Sequence, residues 1–483
     1  ILEKELDGRV QDFFTTMDDS MLARVLFIFS TSGKISEDKN LDAIETKIRT
    51  ECRPWSDRFS EASDEMFEDQ DYCAHIIRNY QDAFPVEYQE RVHPKHSLWD
   101  VKKIEEALES RGGLSFDIYR SSGQSAKQLQ LKVYRSGKLI PLSDILPILE
   151  NMGLRVTGER PYEVKVGPKK KVVWIHDFMM EFVDPNTTFD LKNIKALFEE
   201  ALLRIWFDEA DNDGLNKLIL SSGMDWREVT ILRAYIRYLH QIGYVFSLRY
   251  MERAVNENPN ISRLIVDFFK AWHDPQNGKH AKEKAAGALL ALDHAFDEVG
   301  SLDHDRILRR ITDVVDATLR TNFFQKDKKG NVKPYLSLKL DSRKIKDLPS
   351  PKPYREIFVY SPRVEGIHLR GDKIARGGIR WSDRLEDYRT EVLGLMKAQL
   401  VKNSIIVPMG AKGGFVMKKP PRNATHEQFQ KEGIECYKIF ISGLLDITDN
   451  IVDDKVVPPK DVHRRDEDDT YLVVAADKGT ATF

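Results

Sequence analysis

Two glycine-rich segments that each carry a cation lie close together in the last third of the sequence. Residues 375–383 read ARGGIRWSD, and residues 402–414 read KNSIIVPMGAKGG. Glycine lets the backbone approach a bound group closely, and an adjacent cation favours an anion as that group. Neither segment has the G-x-x-x-x-G-K-[ST] or the G-x-G-x-x-G spacing of a nucleotide-binding loop. The two segments therefore predict an anion-binding site of another kind.

Each candidate residue of this region also has a structural interpretation. A lysine in a glycine-rich loop, such as Lys412, is usually solvated. Arg376 and Arg380 could be surface charges on a hairpin, Lys402 could be a cation that complements the dipole of a helix C-terminus, and Asp461 could cap a helix N-terminus. The two interpretations differ in whether these residues lie close together in the folded protein.

The elements that position these residues follow from hydrophobic periodicity. Residues 354–382 have the pattern of strands, with a turn at the glycine pair 377–378. Apolar residues recur every four positions over 386–404, which predicts an amphipathic helix. A short apolar strand at 405–409 (IIVPM) then leads into the segment GAKGG. The predicted order is strand, glycine-rich loop and strand, with Lys412 in the loop.

The rest of the chain divides into three regions by the same criteria. Residues 1–108 show two strands at 9–16 and 23–31, a helix at 41–48 and charge-rich helical sequence after it. Residues 109–190 have the order β-β-α-β-β. Both regions resemble the small ligand-sensing modules of the ACT type. Residues 191–330 are helical, and residues 331–483 combine strands and helices, so we expect a multidomain α/β and α+β protein.

Two acidic segments imitate metal sites. Residues 209–214 read EADNDG, like the start of a calcium-binding EF-hand loop, but position one is Glu209 and position twelve is Leu220 where a bidentate Glu is required. A loop with a helix-capping Asp is the better interpretation. Near the C-terminus, His463 and the acidic residues 466–469 do not form a fixed set of three or four ligands. We therefore expect no metal site.

Composition excludes several classes of partner. The chain has 483 residues and a net charge of −3 from 74 basic and 77 acidic side chains. No global field therefore favours nucleic acid or an anionic membrane surface. No apolar run has the length of a membrane span, and the three cysteines (Cys52, Cys73 and Cys436) show no C-x-x-C spacing, which favours a cytoplasmic protein. The sequence begins without Met and within a pattern, so we interpret it as part of a longer protein.

At residue level, the segments ARGGIRWSD, QLVKNS and VPMGAKGG resemble, in order, the substrate-domain signature of glutamate dehydrogenases. The surrounding sequence is similar to that of the large bacterial NAD-specific class, in which ACT-like regulatory regions precede the catalytic part. The resemblance makes 331–483 the substrate-binding domain. It implies that Lys412 is catalytic and that Asp461, in VVPPKDV, relays a proton. It also implies that the substrate contacts Arg376, Gly378, Gln399 and Lys402.

The chemistry of glutamate explains these residue types. Glutamate carries two carboxylates and an amine, so two or three cations and backbone N–H groups can hold it with its α-carbon facing a nicotinamide. Arg376 stands where small members of the family have a lysine; its guanidinium keeps the role of an anion clamp but cannot transfer a proton. An isolated lysine is too basic for proton transfer near neutral pH. Burial beside Arg376 and Lys402 would lower the pKa of Lys412 into a useful range.

The resemblance further implies NAD as cofactor, L-glutamate and 2-oxoglutarate as substrate and product, amino-acid effectors and a homo-oligomer. In the family the nucleotide domain follows the substrate domain, so we expect the NAD site mainly beyond Phe483 and no turnover by this chain alone. An alternative function stays open. The chain could be a regulatory and oligomerisation region that binds amino-acid effectors without catalysis.

Overall fold

The structure is a computed structural model that describes residues 2–17, 23–31, 40–121, 125, 127–184, 190–402 and 409–483. The chain forms two compact units. The first contains Ile1–Asp117, Lys132–Leu139 and Glu159–Asp177, and the second contains Ile118–Leu131, Ile140–Gly158 and Phe178–Phe483. No helix in the described ranges is both long and apolar enough to cross a membrane.

The N-terminal region is a hairpin followed by helices. Its elements are α1 (Leu2–Glu5), β1 (Gly8–Met17), β2 (Ala23–Thr31), α2 (Leu41–Glu51), α3 (Trp55–Met66), α4 (Gln70–Tyr80), α5 (Val86–Gln89) and α6 (Pro94–Glu109). Strands β1 and β2 pair antiparallel, which confirms the two predicted strands, and α2 confirms the predicted helix. The helices α3 to α6 bury aromatic and aliphatic residues in the core of the first unit, among them Phe59, Tyr80 and Leu98.

The next region confirms the predicted order β-β-α-β-β. It contains β3 (Leu114–Tyr119), β4 (Gln128–Ser136), α7 (Leu142–Asn151), β5 (Leu154–Val166) and β6 (Lys171–Phe182), and the strands form one sheet in the order β3-β4-β6-β5. Helix α7 ends at a glycine, Gly153, whose φ of 85° is the left-handed conformation that glycine adopts at low cost.

Helices make up the following region, as periodicity predicts. They are α8 (Leu191–Trp206), α9 (Lys217–Ser222), α10 (Trp226–Gln241), α11 (Leu248–Asn256), α12 (Pro259–His273), α13 (Ala281–Phe296) and α14 (Leu302–Asp316). The loop that imitates an EF-hand precedes α9. There the Asp213 carboxylate accepts from the Leu215 amide and pairs with Arg233, while Asp211 pairs with Lys418. The capping interpretation of this loop is confirmed, and protein cations are the partners of both carboxylates.

A six-stranded sheet dominates the last region. Its elements are β7 (Thr318–Thr321), β8 (Leu336–Leu340), β9 (Arg355–Tyr360), β10 (Val364–Arg370), β11 (Arg376–Ser382), α15 (Tyr388–Lys402), β12 (Gly410–Met417) and α16 (His426–Leu445), followed by a small hairpin of β13 (Asn450–Val452) and β14 (Lys455–Val457). The strand order is β11-β12-β10-β9-β8-β7, and β11 and β12 are the parallel pair.

The structure corrects two predictions about the glycine-rich segments. Gly377 and Gly378 lie inside β11 and not in a turn, and GAKGG forms the first part of β12 and not a loop. Of the predicted strand at 405–409, residues 405–408 lie outside the described residues. The prediction was wrong because glycine is common in turns but also occurs within strands, at positions where another backbone segment approaches closely.

Helices α15 and α16 cover opposite faces of this sheet. Successive side chains of a strand point to opposite faces. Phe415 packs on Phe440 of α16, whereas a Cβ at Gly414 would lie 2.5 Å from Val392 of α15. Lys412, two residues before Gly414, therefore shares the α15 face.

Candidate active site

Lys412 is the third residue of β12, and its side chain is almost completely buried. The strand runs between β11 and β10, where Lys412 is the register partner of Gly378 and of Leu369. Its side chain is 7% exposed, and its ammonium group forms an ion pair with the carboxylate of Asp477. This environment differs from that of the solvated lysine that the structural interpretation describes.

The glycines of β11 allow two other backbone segments to approach. A Cβ at Gly377 would lie 1.4 Å from the carbonyl oxygen of Ala411, the residue before Lys412. A Cβ at Gly378 would lie 2.8 Å from the carbonyl oxygen of Ala475. No side chain fits at such distances, so both positions require glycine for the strand and the C-terminal segment to close around Lys412.

We expect Gly377→Ala to lower the free energy of unfolding by about 2–3 kcal/mol, because the new methyl group would overlap the Ala411 carbonyl and force β11 and β12 apart. Gly394→Ala is the matched control. Gly394 lies within α15 and a Cβ there meets no other atom within 4 Å, so we expect a gain of about 0.5–1 kcal/mol from helix propensity. Urea denaturation measures both changes, and equal effects of the two variants would contradict the steric argument.

The segment that carries Asp477 lies along the free edge of β11. The Ile379 amide donates to the Ala475 carbonyl at 2.8 Å. The Thr480 hydroxyl donates to the Ile379 carbonyl at 2.8 Å and accepts from the Asp477 amide at 3.0 Å. These bonds fix the backbone on both sides of the Asp477 carboxylate.

Two residues of β10 bind the chain that leads into this segment. His368 is buried, and burial lowers the pKa of its imidazole to about 4. Its neutral ring can therefore donate from Nε2 to the Val473 carbonyl, 2.8 Å away. Arg370 donates to the Tyr471 carbonyl and pairs with the Asp469 carboxylate. Strand β10 thus contacts both the Lys412 strand and the Asp477 segment.

The environment of Lys412 sets its protonation. Burial lowers the pKa of its ammonium group below the ordinary value, and the nearby Arg380 guanidinium lowers it further. The Asp477 carboxylate acts in the opposite direction, because an opposite charge favours the charged form. Cation clustering around Lys412 was predicted for Arg376 and Lys402; the cation whose charge acts on Lys412 in the structure is Arg380.

Two buried polar atoms of this region have no hydrogen-bond partner among the described residues: the Nε–H of Arg380 and the Oε1 of Gln399. Gln399 faces β11, since a Cβ at Gly377 would lie 3.2 Å from its Oε1. The remaining guanidinium of Arg380 pairs with Glu391 at 2.9 Å. Both side chains thus lie between β11 and α15.

The other predicted site residues have different surroundings. Arg376, the first residue of β11, is exposed. Lys402 is the last residue of α15, and its side chain lies outside the described part of the chain. Asp461 is exposed, has a φ of 56°, and makes no side-chain hydrogen bond or ion pair with the described residues. The structure therefore brings Lys412 together with Gly378, but not with Asp461.

Sequence reasoning missed Asp477. The residue follows the apolar run YLVVAA and precedes Lys478 and Gly479, so it ends a strand-like segment next to a glycine. An acidic residue at the end of such a run was a usable signal. The similarity of VVPPKDV to a family segment directed attention to Asp461 instead.

A network of buried charges anchors the chain between α16 and Asp477. Arg320 of β7 donates to Asp449 and Asp466, and Lys339 of β8 pairs with Asp466 and Asp469. All five side chains are largely buried. The network fixes Asp449, Asp466 and Asp469 on the sheet, so the segment that follows them lies near β11.

Comparison with protein families matches five segments of the chain to models of glutamate dehydrogenase domains. The model described as the catalytic domain of bacterial NAD-glutamate dehydrogenase matches residues 291–483. Models of the glutamate dehydrogenase ACT2 and ACT3 domains match residues 1–56 and 113–194. Models of its helical motifs 2 and 3 match residues 72–107 and 210–275. The predicted combination of ACT modules, a helical region and a glutamate dehydrogenase domain is confirmed.

Individual relatives agree with the family models. The chain is 47% identical to an NAD-specific glutamate dehydrogenase of Halomonas elongata and 44% identical to one of Pseudomonas aeruginosa, in both cases over 100% of this chain and 30% of the relative. It is 44% identical over 84% of its length to an NAD-specific glutamate dehydrogenase of Mycobacterium tuberculosis, of which it covers 25%. The chain thus spans less than a third of these relatives, and within that span it belongs to the family of bacterial NAD-specific glutamate dehydrogenases.

Proposed function

We propose that the protein containing this chain oxidises L-glutamate to 2-oxoglutarate and ammonium with NAD, and that this chain supplies the substrate side of the active site. The observation that carries the proposal is the ion pair between the buried Lys412 and the half-buried Asp477 at the glycine-lined junction of β11 and β12. The names of the relatives support the same reaction. One water is consumed, and two electrons with one proton leave the α-carbon as a hydride.

The residues on the α15 side of β12 have the chemistry to hold glutamate. The unpartnered Nε–H of Arg380 can donate to a carboxylate, and the unpartnered Oε1 of Gln399 can accept from an ammonium group. Arg376 and Lys402 add two cations for the substrate carboxylates, and Gly378 leaves room at the backbone. We propose these five residues as the substrate-binding set.

Lys412 and an acidic partner would move the protons. Burial lowers the pKa of Lys412, so its ammonium can release a proton to solvent; the neutral amine can then accept a proton from the water that attacks the substrate iminium and return it to the departing amine. The partner must be within hydrogen-bond reach of the reacting groups, and this requirement favours Asp477 over Asp461. In the absence of substrate, Asp477 neutralises the buried ammonium. With substrate bound, it can accept a proton from the amino group.

We expect Asp477→Asn to lower kcat about 100-fold or more, because the amide cannot accept that proton. It should also shift the acid limb of the pH profile of kcat/KM to lower pH, since removal of the carboxylate lowers the pKa of Lys412. Asp461→Asn is the matched comparison and should leave the pH profile in place. The reverse result, with a large loss only for Asp461→Asn, would favour the acid predicted from sequence.

Lys402→Ala tests substrate clamping. We expect KM for glutamate to rise about tenfold or more while the affinity for NAD stays near wild type, because the lost charge would contact only the amino acid. Steady-state kinetics with each substrate varied in turn measure both values. Equal losses for glutamate and NAD would indicate misfolding and contradict the assignment.

We propose NAD as the hydride acceptor, because the similar relatives are named NAD-specific. None of the glycine clusters has the G-x-G-x-x-G spacing that opens a Rossmann helix. The residues present do not fit the dinucleotide, so we derive no step through it and propose that it binds mainly to a part of the protein beyond Phe483.

The regulatory alternative is compatible with catalysis in one protein. The ACT-domain models in the first half of the chain support amino-acid effectors. We further propose a homo-oligomer in the cytoplasm, which the family resemblance supports. Neither proposal depends on Lys412.

A further inference from the structure

Helix α10 ends against the start of α15, the helix that lies on the Lys412 face of the sheet. Gln241 is the last residue of α10, and it is buried. Its side-chain nitrogen donates to the carbonyls of Leu385 and Glu386, at 3.0 and 3.1 Å, in the loop that leads into α15. Its Oε1 accepts from the Arg389 amide at 3.2 Å. One buried side chain thus binds the backbone on both sides of the point where α15 begins.

The bond to Arg389 is a helix cap that comes from another part of the chain. The first four N–H groups of an α-helix have no partner within the helix, and a side chain just before the helix usually accepts from one of them. Arg389 is the second residue of α15, so its amide is one of these groups. Its acceptor lies 148 residues earlier, in the helical region. The position of the start of α15 is therefore tied to that of α10.

A second residue of α10 contacts the same turn of α15. Tyr238 lies three positions before Gln241, so both side chains can face the same way. Its hydroxyl donates to the Glu356 carboxylate of β9 at 3.0 Å, and the Arg389 guanidinium donates to the same oxygen at 3.0 Å. Tyr238, Glu356 and Arg389 are all buried. Both the backbone and the side chain of Arg389 are thus linked to α10.

Helix α15 in turn lies directly on the strand that carries Lys412. A Cβ at Gly410 would lie 2.8 Å from the Met396 carbonyl oxygen, and one at Gly414 would lie 2.5 Å from the Val392 side chain. These two glycines stand two residues before and two residues after Lys412 in β12. The position of α15 therefore determines how closely the site is packed on this face of the sheet.

Two polar side chains of α15 also reach the proposed substrate site. Glu391 pairs with Arg380 of β11 at 2.9 Å. Gln399 faces β11 at Gly377. Glu391 is only two residues after Arg389, so the capped turn of α15 and the turn that holds Arg380 overlap.

We propose that Gln241 is a positioning residue for the substrate site. By capping α15 from the helical region, it fixes the helix that orients Arg380 through Glu391 and presents Gln399 to β11. The inference rests on the proposed function, because Arg380 and Gln399 belong to the proposed substrate-binding set. Loss of the cap should weaken glutamate binding more than it slows the chemical step, since Lys412 is held in β12 between β10 and β11.

Gln241→Met in the full-length enzyme tests the proposal. Methionine has a similar length and helix propensity, but it cannot donate to the two carbonyls and is a poor acceptor for the Arg389 amide. We expect KM for glutamate to rise about tenfold while kcat changes less than about threefold, because the groups that hold the substrate are displaced and the proton-transfer group is not. Gln241→Asn, which is one methylene shorter and cannot make all three bonds, should change KM in the same direction.

Thr230→Val is the matched control. The Thr230 hydroxyl is buried and donates to the Trp226 carbonyl within α10 at 2.9 Å. The variant therefore removes a buried hydrogen bond of the same helix that does not reach α15, and we expect wild-type kinetics. Thermal unfolding midpoints confirm that each variant is folded.

Hydrogen exchange of the α15 amides in the same proteins gives a readout that does not depend on the reaction. Gln241→Met should speed exchange in the first turns of α15, whereas Thr230→Val should not. Unchanged exchange or an unchanged KM in Gln241→Met would overturn the proposal, and so would equal changes in Thr230→Val. A wild-type enzyme without glutamate turnover would refute the proposed reaction, and the exchange of α15 would still decide whether Gln241 caps the helix.

Discussion

Lys412→Ala is expected to lower kcat of the full-length enzyme by about 10³-fold, which corresponds to about 4 kcal/mol of lost transition-state stabilisation. The physical reason is the burial of the ammonium group. A lysine that is 7% exposed and lies beside Arg380 loses its proton more easily than one in water, which suits it for proton transfer near neutral pH. Alanine leaves Asp477 without its cation and the reacting water without a base.

Two further variants separate proton transfer from charge. Lys412→Arg keeps the cation but cannot release a proton near neutral pH, so we expect kcat to stay low while KM for glutamate changes less than for Lys412→Ala. Lys419→Ala is the matched control just after the other end of β12, because Lys419 is more exposed and pairs with Asp208 at the surface. Stopped-flow measurement of NADH formation gives the chemical rate. Near-normal turnover of Lys412→Ala would contradict the assignment of Lys412.

The sequence predicted the elements of the site better than their local geometry. Helix α15 and the order of the N-terminal modules follow from periodicity, which depends only on which face of an element is buried. The glycines of β11 were misassigned to a turn, because composition does not reveal that Gly377 contacts the Ala411 carbonyl. That contact joins two strands separated by a helix along the chain, and such register is a tertiary property.

The choice of the acidic partner of Lys412 shows the same limit of prediction from sequence. Asp461 and Asp477 both follow apolar runs after Lys412, so their types and spacing do not separate them. The difference comes from hydrogen bonds to the edge of β11, where Ile379 binds Ala475 and holds Asp477 beside Lys412. Similarity to a short family segment selected Asp461, whereas the bonds along β11 favour Asp477.

The buried network of charges around Arg320 also could not be predicted from the sequence. Its disruption is the second large effect that we expect, and it acts on stability. Arg320 lies in a four-residue strand, and its side chain is fully buried. Its guanidinium donates to both oxygens of Asp449, at 2.8 and 3.1 Å, to Asp466 at 2.5 Å and to the Glu467 carbonyl at 2.8 Å. A buried guanidinium is tolerated only when its donors are satisfied in this way.

We expect Arg320→Ala to lower the free energy of unfolding by about 3–5 kcal/mol, because Asp449 and Asp466 would each lose a buried cation and keep only Arg464 and Lys339, respectively. Lys373→Ala is the matched control, since Lys373 pairs with Glu467 of the same segment but both side chains are more than 60% exposed. Such surface pairs contribute about 0–1 kcal/mol. Urea denaturation measures both changes. Native-state hydrogen exchange of the β7 amides measures the stability of the part of the structure that contains Arg320.

The effect of Arg320→Ala should depend on pH in a defined direction. Burial by itself raises the pKa of Asp449, but hydrogen bonds from Arg320 and its charge outweigh burial and hold that pKa below the ordinary value. The stability that this pair contributes is therefore fully present above the unfolded pKa of about 3.9 and is lost as the pH falls through the folded pKa. In Arg320→Ala the Asp449 carboxyl protonates more easily, so the stability difference from wild type should narrow between pH 7 and about pH 4. A difference that is constant over this range would show that lost packing, and not the loss of the Arg320 charge beside these carboxylates, destabilises the variant.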